Sequence, residues 1–286
     1  MFKLHIIGAG TPTPSPNRFG TCYIAEIGDT LLMFDCGPAA TYKMTRMGLW
    51  PTRVSHLFFS HHHFDHNADY PCFLLTRWDQ STEDVEPLRV YGPPPTRQVT
   101  EALIGESGAF FPDWQARVEH PGSREIYQAR GGTLPRRPPA IEVQEIDTGD
   151  SVSGGCWKVT GARVKHIEPW MPTLAYRLEV KDTSLVMTSD TGLCPSITDF
   201  ARGADYLLIH CWDLQARMQP SEAGMITGTQ TAAQIAEECG AGQLLLSHLG
   251  PKLDRPEDRR TAVEDIEKRF GGAFDFVDEL STLELE

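Results

Sequence analysis

One short segment of the sequence is dense in side chains that bind metal ions. Residues 60–66 read Ser-His-His-His-Phe-Asp-His and contain the spacing H-x-H-x-D-H, with three imidazoles and one carboxylate in six positions. In an extended segment alternate side chains share a face, so His61 and His63 converge while the histidine between them points away. If the chain then turns into a helix, Asp65 and His66 reach a second point about 3.5 Å from the first, the separation usual in two-metal sites. The segment therefore predicts part of a dinuclear metal centre.

Four ligands on one loop leave two metal ions undersupplied, so the remaining ligands must come from distant positions. The candidates are His166, Asp190 and His248, each of which follows a predicted strand. Taken singly, each would be interpreted as a structural histidine or a turn acid. Beside the histidine cluster the ligand interpretation is favoured, because three clustered imidazoles and an acid are costly to order without a metal ion.

The elements that must position these residues follow from apolar periodicity and from breaking residues. Strands are predicted at 4–7, 23–27, 31–34 and 55–59 in the first half, and at 157–164, 174–180, 184–188, 206–210 and 243–247 in the second. Helical spacing predicts helices at 38–48, 70–78, 96–105, 229–239 and 255–270. Residues 79–150 are rich in proline and glycine, and beyond the helix in this segment we expect an irregular excursion. The pattern predicts an α/β protein with two β-rich halves, its sheet layers sandwiched between helices.

The composition is that of a globular protein and argues against several classes. The chain of 286 residues has no apolar run near the roughly 18 residues of a membrane span and no secretory signal at its start, so we expect a cytoplasmic protein without a membrane partner. Lys and Arg total 26 against 39 Asp and Glu, and the resulting net charge of −13 disfavours nucleic acid as a partner. The seven cysteines form no C-x-x-C pair, so neither a disulfide framework nor a thiolate zinc site is indicated. A homodimer stays open as an assembly.

The sequence resembles the metallo-β-lactamase superfamily, in particular its branch of ribonuclease Z and arylsulfatase-like hydrolases, over essentially the whole chain. The resemblance rests on the H-x-H-x-D-H loop, on His166 followed by Ala-Tyr-Arg at 175–177, and on four further motifs. These are Ile-Gly-Ala-Gly-Thr-Pro-Thr-Pro at 7–14, Leu-Met-Phe-Asp-Cys-Gly at 32–37, Thr-Ser-Asp-Thr at 188–191 and Leu-Ser-His at 246–248. The resemblance implies a single domain over residues 1–286 with the four-layer αββα sandwich of that superfamily.

The resemblance also implies two divalent metal ions that share a bridging acid, Asp190. The other ligands match His61, His63 and His166 for one ion and Asp65, His66 and His248 for the other. Imidazole and carboxylate ligands without thiolate suit Zn²⁺ best, with Mn²⁺ or Fe as alternatives. Asp35 resembles an acid of the family that steadies the histidine loop by hydrogen bonds, although an Asp close to a glycine is equally typical of a turn.

Such a centre implies a hydrolase. Two divalent ions lower the pKa of a bridging water to about 7, so that hydroxide is available at neutral pH. Asp65 or Asp190 would orient the hydroxide and accept its proton, and His210 is a candidate to protonate the leaving group. Ribonuclease Z-like proteins carry His-Glu-Ala-Thr at the corresponding place, whereas Cys-Trp-Asp follows His210 here. With that Glu missing, His210 is interpreted either as a general acid or substrate contact or as a core histidine, and Asp213 as a candidate substitute for the Glu.

The expected substrate is a small molecule: an aryl sulfate or phosphate ester, a carboxylic ester or a lactone. Residues 79–150 contain no lysine and no dense basic cluster, so they lack the basic arm that tRNA cleavage requires. Two alternatives are kept, a phosphodiesterase or nuclease of the ribonuclease Z type and a non-catalytic binding module that keeps the fold. Aromatic residues are the candidate substrate contacts, weighed against ordinary packing: Phe110, Phe111, Trp114, Trp170 and Trp212.

Overall fold

The computed structural model describes residues 1–82 and 86–286. Within these residues the chain forms two seven-stranded mixed sheets that pack face to face, with helices on both outer surfaces. The α/β class and the four-layer αββα arrangement predicted above are confirmed.

The first sheet is built mainly from the N-terminal half. Its strands are β1 (Phe2–Ala9), β2 (Thr21–Ile27), β3 (Thr30–Phe34), β4 (Val54–Phe58), β5 (Leu88–Gly92), β6 (Ile141–Glu145) and β14 (Ser281–Leu285). In space they follow the order β14-β1-β2-β3-β4-β5-β6. From β14 to β3 the pairing is antiparallel, and from β3 to β6 it is parallel. Strands β2 and β3 are buried almost throughout, as expected where both faces of a sheet are covered.

The second sheet holds most of the C-terminal half. Its strands are β7 (Ser151–Gly154), β8 (Trp157–Ile167), β9 (Met171–Val180), β10 (Thr183–Met187), β11 (Tyr206–His210), β12 (Gln243–Ser247) and β13 (Ala273–Phe276). They follow the order β13-β12-β11-β10-β9-β8-β7. Strands β10 to β13 are parallel, so their carboxyl ends meet at one edge of the sheet.

Helices close the two outer faces. Helices α1 (Ala40–Arg46), α3 (Tyr70–Gln80) and α4 (Thr96–Ile104) pack on the first sheet, and α7 (Pro195–Phe200), α8 (Thr229–Cys239) and α9 (Pro256–Glu267) pack on the second. Between the sheets lies an inner core that includes Leu4, Tyr23 and Leu208. Full burial of one such leucine contributes about 1.5–3 kcal/mol. None of the described helices is long and apolar enough to cross a membrane.

The predicted excursion at 79–150 includes residues 83–85, which lie outside the described residues; its described part is more regular than the sequence led us to expect. The predicted helix is present as α4, and two further helices follow it, α5 (Phe111–Glu119) and α6 (Pro121–Ala129). The same segment adds β5 and β6 to the first sheet. Contacts between residues far apart in the sequence hold this segment in place. The Arg136 guanidinium, for example, lies over the rings of Trp78 and Tyr127, 4.1 and 4.6 Å from their centroids. Local periodicity does not report contacts of this kind.

Candidate metal centre

Strand ends bring all seven predicted ligands to one edge between the two sheets. The loop at 60–66 leaves β4 and enters the one-turn helix α2 (Phe64–Asn67). His166 lies near the end of β8, Asp190 follows β10, and His248 follows β12. Residues that follow neighbouring parallel strands converge, and this crevice at the carboxyl ends of strands is where α/β proteins place ligands.

The first group of ligands surrounds a point beside His63. The Nδ1 atom of His63 lies 3.0 Å from His61 Nε2 and 3.3 Å from His166 Nε2. Asp190 Oδ2 is 3.9 Å from His61 Nε2 and 3.8 Å from His166 Nε2. One ligand atom from each of these four residues lies within 4.8 Å of the others, a cluster that can hold a metal ion.

The second group lies on the other side of Asp190. Asp65 Oδ2 is 3.1 Å from His248 Nε2 and 3.6 Å from His66 Nε2. Asp190 reaches this group as well, with Oδ2 3.7 Å from His66 Nε2 and Oδ1 3.5 Å from His248 Nε2. Asp190 therefore faces both groups, as a bridging carboxylate must. One ligand atom from each of His66, Asp190, His210 and His248 also lies within 4.8 Å of the others, so these side chains are close enough to hold a metal ion.

The chemistry of the second group fits a cation. Among the described residues, the buried Nε2 atom of His66 has no hydrogen-bond partner. An unpaired polar atom is costly in a protein interior, and this one points toward the carboxylates of Asp65 and Asp190. A divalent ion would satisfy the nitrogen and both carboxylates together.

Hydrogen bonds behind the ligands fix the ring orientations. Asp35 accepts from the Ser60 backbone N–H and hydroxyl, each at 2.7 Å, and from His66 Nδ1 at 2.7 Å. His166 Nδ1 donates to the Met225 carbonyl at 2.8 Å. In both histidines the Nδ1 proton is thereby held away from the centre, and Nε2 is left to bind a metal ion. Asp35 is thus found in the supporting position that the resemblance implied.

Burial and charge shift the pKa values of the candidate ligands in different directions. Burial lowers the pKa of His61 well below its usual value, which keeps the imidazole neutral. Burial alone would also lower the pKa of His66, but the adjacent Asp35 carboxylate outweighs it and raises that pKa to about 9. For Asp190, burial opposes ionisation, yet the neighbouring histidines, His248 foremost, hold the pKa well below its usual range. The carboxylates of Asp35 and Asp190 therefore favour positive charge beside them, either a proton on His66 or a metal ion.

Three residues at this edge adopt the left-handed backbone conformation without being glycine. Asp35 has φ 58°, Ser189 has φ 58° and His248 has φ 53°, and each lies directly after a strand or one residue beyond it. This conformation costs roughly 1–2 kcal/mol for residues other than glycine. Such strained positions cluster at functional sites, where surrounding contacts hold them in place.

His210 is buried at the end of β11 beside Asp190. Its Nδ1 atom lies 2.8 Å from Asp190 Oδ1, and its Nε2 atom lies 3.1 Å from the Tyr23 hydroxyl. Burial lowers the pKa of His210 to about 4. Asp213, considered as a substitute for the missing Glu, is instead paired with Arg217 at 3.1 Å. Tyr23 was not singled out in the sequence, where it looks like any aromatic residue of a buried strand.

Two of the predicted aromatic contacts are close to candidate ligands, Trp170 in the sequence and Trp212 in space. Trp170 is 87% exposed at the turn between β8 and β9, four residues after His166. The ring of Trp212 lies 6.2 Å from that of His248. Phe64 follows His63 directly and its side chain is 54% exposed. Phe64 was not a candidate from the sequence, because strand alternation turns it away from the ligands.

The other three aromatic candidates belong to the helices of residues 79–150. Trp114 is buried, its Nε1 donates to the Ile104 carbonyl at 2.9 Å, and its ring meets that of Phe111 edge-on at 4.8 Å. Phe110 precedes α5 and is partly exposed. The structure thus shows Trp114 in the packing of these helices rather than on an open surface, because its N–H finds a partner within the protein.

Comparison with known proteins places this centre in a family. Residues 30–249 match the family described as Beta-lactamase superfamily domain. The ribonuclease Z of Mycobacterium sp. (strain KMS) is 29% identical over 260 residues, covering 88% of this chain and 86% of the relative. Two solved structures share the fold. The metallo-beta-lactamase fold protein YhfI from Bacillus subtilis has a TM-score of 0.73 and 20% sequence identity, and the match covers 99% of this chain and 98% of that one. The short form of human tRNase Z has a TM-score of 0.70 and 18% identity, and the match covers 99% of each chain.

These relatives overturn one expectation drawn from composition. We expected nucleic acid to be an unlikely partner, but the similar curated proteins are named as ribonucleases, so that expectation is wrong. The net charge of −13 is a sum over the whole surface. It weakens long-range attraction to a polyanion, yet it does not describe the local surface around a cation-binding centre.

Proposed function

The chain belongs to the β-lactamase superfamily and is a metal-dependent hydrolase, and on this premise we propose that it cleaves phosphodiester bonds in RNA, as a ribonuclease of the Z type. The observation that carries the proposal is the position of Asp190, whose carboxylate faces two separate groups of histidines. This arrangement suits a pair of ions that act together on one phosphate. The names of the relatives favour the phosphodiester reaction over the small-ester reaction that the sequence suggested, because the curated relatives are ribonucleases.

The residues that would hold the ions are the seven described above. His61, His63 and His166 would bind one ion, Asp65, His66 and His248 the other, and Asp190 both. We expect Zn²⁺, since the donors are imidazole and carboxylate groups. When bound, the ions supply a water nucleophile that is active at neutral pH and a positive charge for the phosphate oxygens.

The protein's own groups have separate tasks in this reaction. We infer that Asp65, whose Oδ2 lies 3.1 Å from His248 Nε2, accepts the proton of the attacking water. Asp35 holds His66 in one orientation through its Nδ1 proton. The non-catalytic alternative is disfavoured, because every ligand position is filled and the side chains converge.

The exposed aromatic side chains at the rim support a nucleic-acid substrate. Phe64 and Trp170 each lie next to or near a ligand of the first group, and the rings of those ligands, His63 and His166, are only 5.1 Å apart. Unpaired bases stack on such rings, and each base contributes about 1–3 kcal/mol. We infer that the nucleotides flanking the cleaved bond stack on Phe64 and Trp170.

Cleavage assays on zinc-loaded protein test the proposed function. The substrates are a precursor tRNA with a 3′ extension, bis(4-nitrophenyl) phosphate, and a 4-nitrophenyl carboxylic ester and sulfate. We expect cleavage of the RNA at a discrete 3′ site and turnover of the phosphodiester, with Asp190→Ala as the inactive control. Turnover of the carboxylic ester or sulfate with neither phosphodiester cleaved would overturn the proposal.

The stacking role is tested by Trp170→Ala. We expect KM for RNA to rise by roughly 5- to 100-fold with kcat little changed, because the ring contributes binding rather than chemistry. The matched control is Trp50→Ala, since Trp50 is 59% exposed and precedes β4, at the opposite end of the strand from the histidine loop. Equal KM values for the two variants would contradict the role of Trp170.

A further inference from the structure

A chain of hydrogen bonds crosses from one sheet to the other behind the bridging acid. The Ser247 hydroxyl lies 2.7 Å from the Tyr23 hydroxyl, which lies 3.1 Å from His210 Nε2. His210 Nδ1 in turn lies 2.8 Å from Asp190 Oδ1. Tyr23 comes from β2 of the first sheet and His210 from β11 of the second, and both are buried. The chain therefore ties Asp190 to both sheets.

Donor and acceptor chemistry gives the chain one direction. An ionised carboxylate only accepts, so His210 Nδ1 carries a proton and donates it to Asp190. In a neutral imidazole the other nitrogen then accepts, and the Tyr23 hydroxyl donates to His210 Nε2. The single Tyr23 proton is used there, so the Ser247 hydroxyl donates to the Tyr23 oxygen. Every bond points toward Asp190, and bonds aligned in this way polarise one another.

Both ring nitrogens of His210 are thus engaged within the protein. A general acid needs a proton-bearing nitrogen within hydrogen-bond reach of the leaving group. The proton-bearing nitrogen of His210 instead faces Asp190, and the other nitrogen faces Tyr23. This arrangement fits a support for the carboxylate better than a proton donor to substrate.

We propose that Tyr23 and His210 are positioning residues that hold Oδ1 of Asp190, so that Oδ2 stays directed at the histidines of both groups. Oδ2 lies 3.7–3.9 Å from His61, His66 and His166, while Oδ1 takes the bond from His210. Without that bond the carboxylate can rotate about its last torsion, which is broad. The inference rests on the proposed function only in taking Asp190 as the bridging ligand.

Three variants test the proposal through zinc affinity, measured by competition with a chelating dye without any substrate. Tyr23→Phe removes one hydroxyl, and His210→Ala removes both hydrogen bonds of the imidazole, to Tyr23 and to Asp190. His210→Asn keeps an amide N–H near the position of Nδ1. The control is Tyr70→Phe, since Tyr70 is equally buried but its hydroxyl bonds to Thr100, away from the ligands. We expect zinc affinity to fall about 10- to 100-fold in His210→Ala, as for other supporting residues of metal ligands, about three- to tenfold in Tyr23→Phe, and not in Tyr70→Phe.

His210→Asn separates positioning from acid catalysis. If His210 is a positioning residue, His210→Asn should recover most of the zinc affinity lost in His210→Ala. In His210→Ala, kcat should fall by the same factor for bis(4-nitrophenyl) phosphate and for diphenyl phosphate. A loss confined to diphenyl phosphate, whose leaving group is the stronger base, would assign acid catalysis to His210 and overturn the proposal, as would wild-type zinc affinity in Tyr23→Phe and His210→Ala. If zinc affinity follows the expected order but neither RNA nor the phosphodiesters are cleaved, the proposed function fails and the positioning role stands.

Discussion

Replacing Asp35 by Asn should weaken metal binding although Asp35 is not a ligand. Asn fits the same space and tolerates the left-handed backbone at φ 58°. Its oxygen can keep the bond from the Ser60 N–H, but its NH₂ group then faces His66 Nδ1, where the carboxylate accepted a proton at 2.7 Å. Two donors cannot pair, so His66 is pushed toward the tautomer with its proton on Nε2, the nitrogen that must bind the metal ion.

The size of the effect follows from this loss of orientation. Outer hydrogen-bond partners of metal ligands are worth about 10- to 100-fold in metal affinity, which is about 1.4–2.7 kcal/mol. We expect Asp35→Asn to show a loss in this range when zinc is titrated against a chelating dye. Circular dichroism should show the same fold as the unchanged protein.

Asp69→Asn is the matched control for this experiment. The Asp69 carboxylate also accepts a backbone N–H, from Thr41 at 2.6 Å, and lies three residues after His66 without bonding to its ring. The control should bind zinc like the unchanged protein. If both variants lose affinity equally, or if Asp35→Asn loses none, the argument from the His66 tautomer is refuted.

Three further predictions concern the bridging acid, an ion-pair cluster and a close backbone approach. Asp190→Ala should abolish hydrolysis and lower the zinc content while leaving the circular dichroism spectrum unchanged, and turnover near the wild-type rate would show that the bridge is misassigned. Burial opposes ionisation of Asp79, but Arg130 and Arg136 outweigh it and lower its pKa to about 2. The ionised carboxylate therefore adds about 2 kcal/mol to the free energy of unfolding above about pH 4, and this contribution is lost as the pH falls toward about 2. Chemical denaturation of Asp79→Asn should show the same loss already at pH 7. Gly37→Ala would place its Cβ against the backbone of Thr21 and Asp65, whereas in Gly271→Ala the Cβ has no neighbour within 4 Å. The melting temperature of Gly37→Ala should therefore fall well below that of Gly271→Ala. Equal melting temperatures would contradict the close approach.

The ligand set could be predicted because its signal is local and dense. The spacing H-x-H-x-D-H depends only on strand alternation followed by a helical turn, and α2 does begin at Phe64, directly after His63. The strands of the inner layers were also predictable, since burial on both faces makes them continuous apolar runs. These elements can therefore be predicted from the local sequence alone.

The edges of the two sheets were not predictable in this way. Strands β6, β7 and β13 are short and partly exposed, with no continuous apolar run. Each becomes a strand because a neighbouring strand offers its unpaired N–H and C=O groups. The partners of β6 and β13 are distant in the chain, so a local pattern does not report them. Strand β7 pairs with the adjacent β8, but its four residues are too few to show a strand pattern.

The sequence by itself determined the family resemblance, the layered fold and which seven side chains could bind metal ions, because each of these follows from residue type and short-range spacing. Only the tertiary structure decided how those side chains are held. Asp190 meets both histidine groups, and Tyr23 reaches His210, because two sheets pack face to face. Residues 23 and 210 are 187 positions apart, and their contact depends on the folding of everything between them. The local charge around the centre is likewise a product of the fold, which is why the summed charge of the chain is a poor guide to its partners.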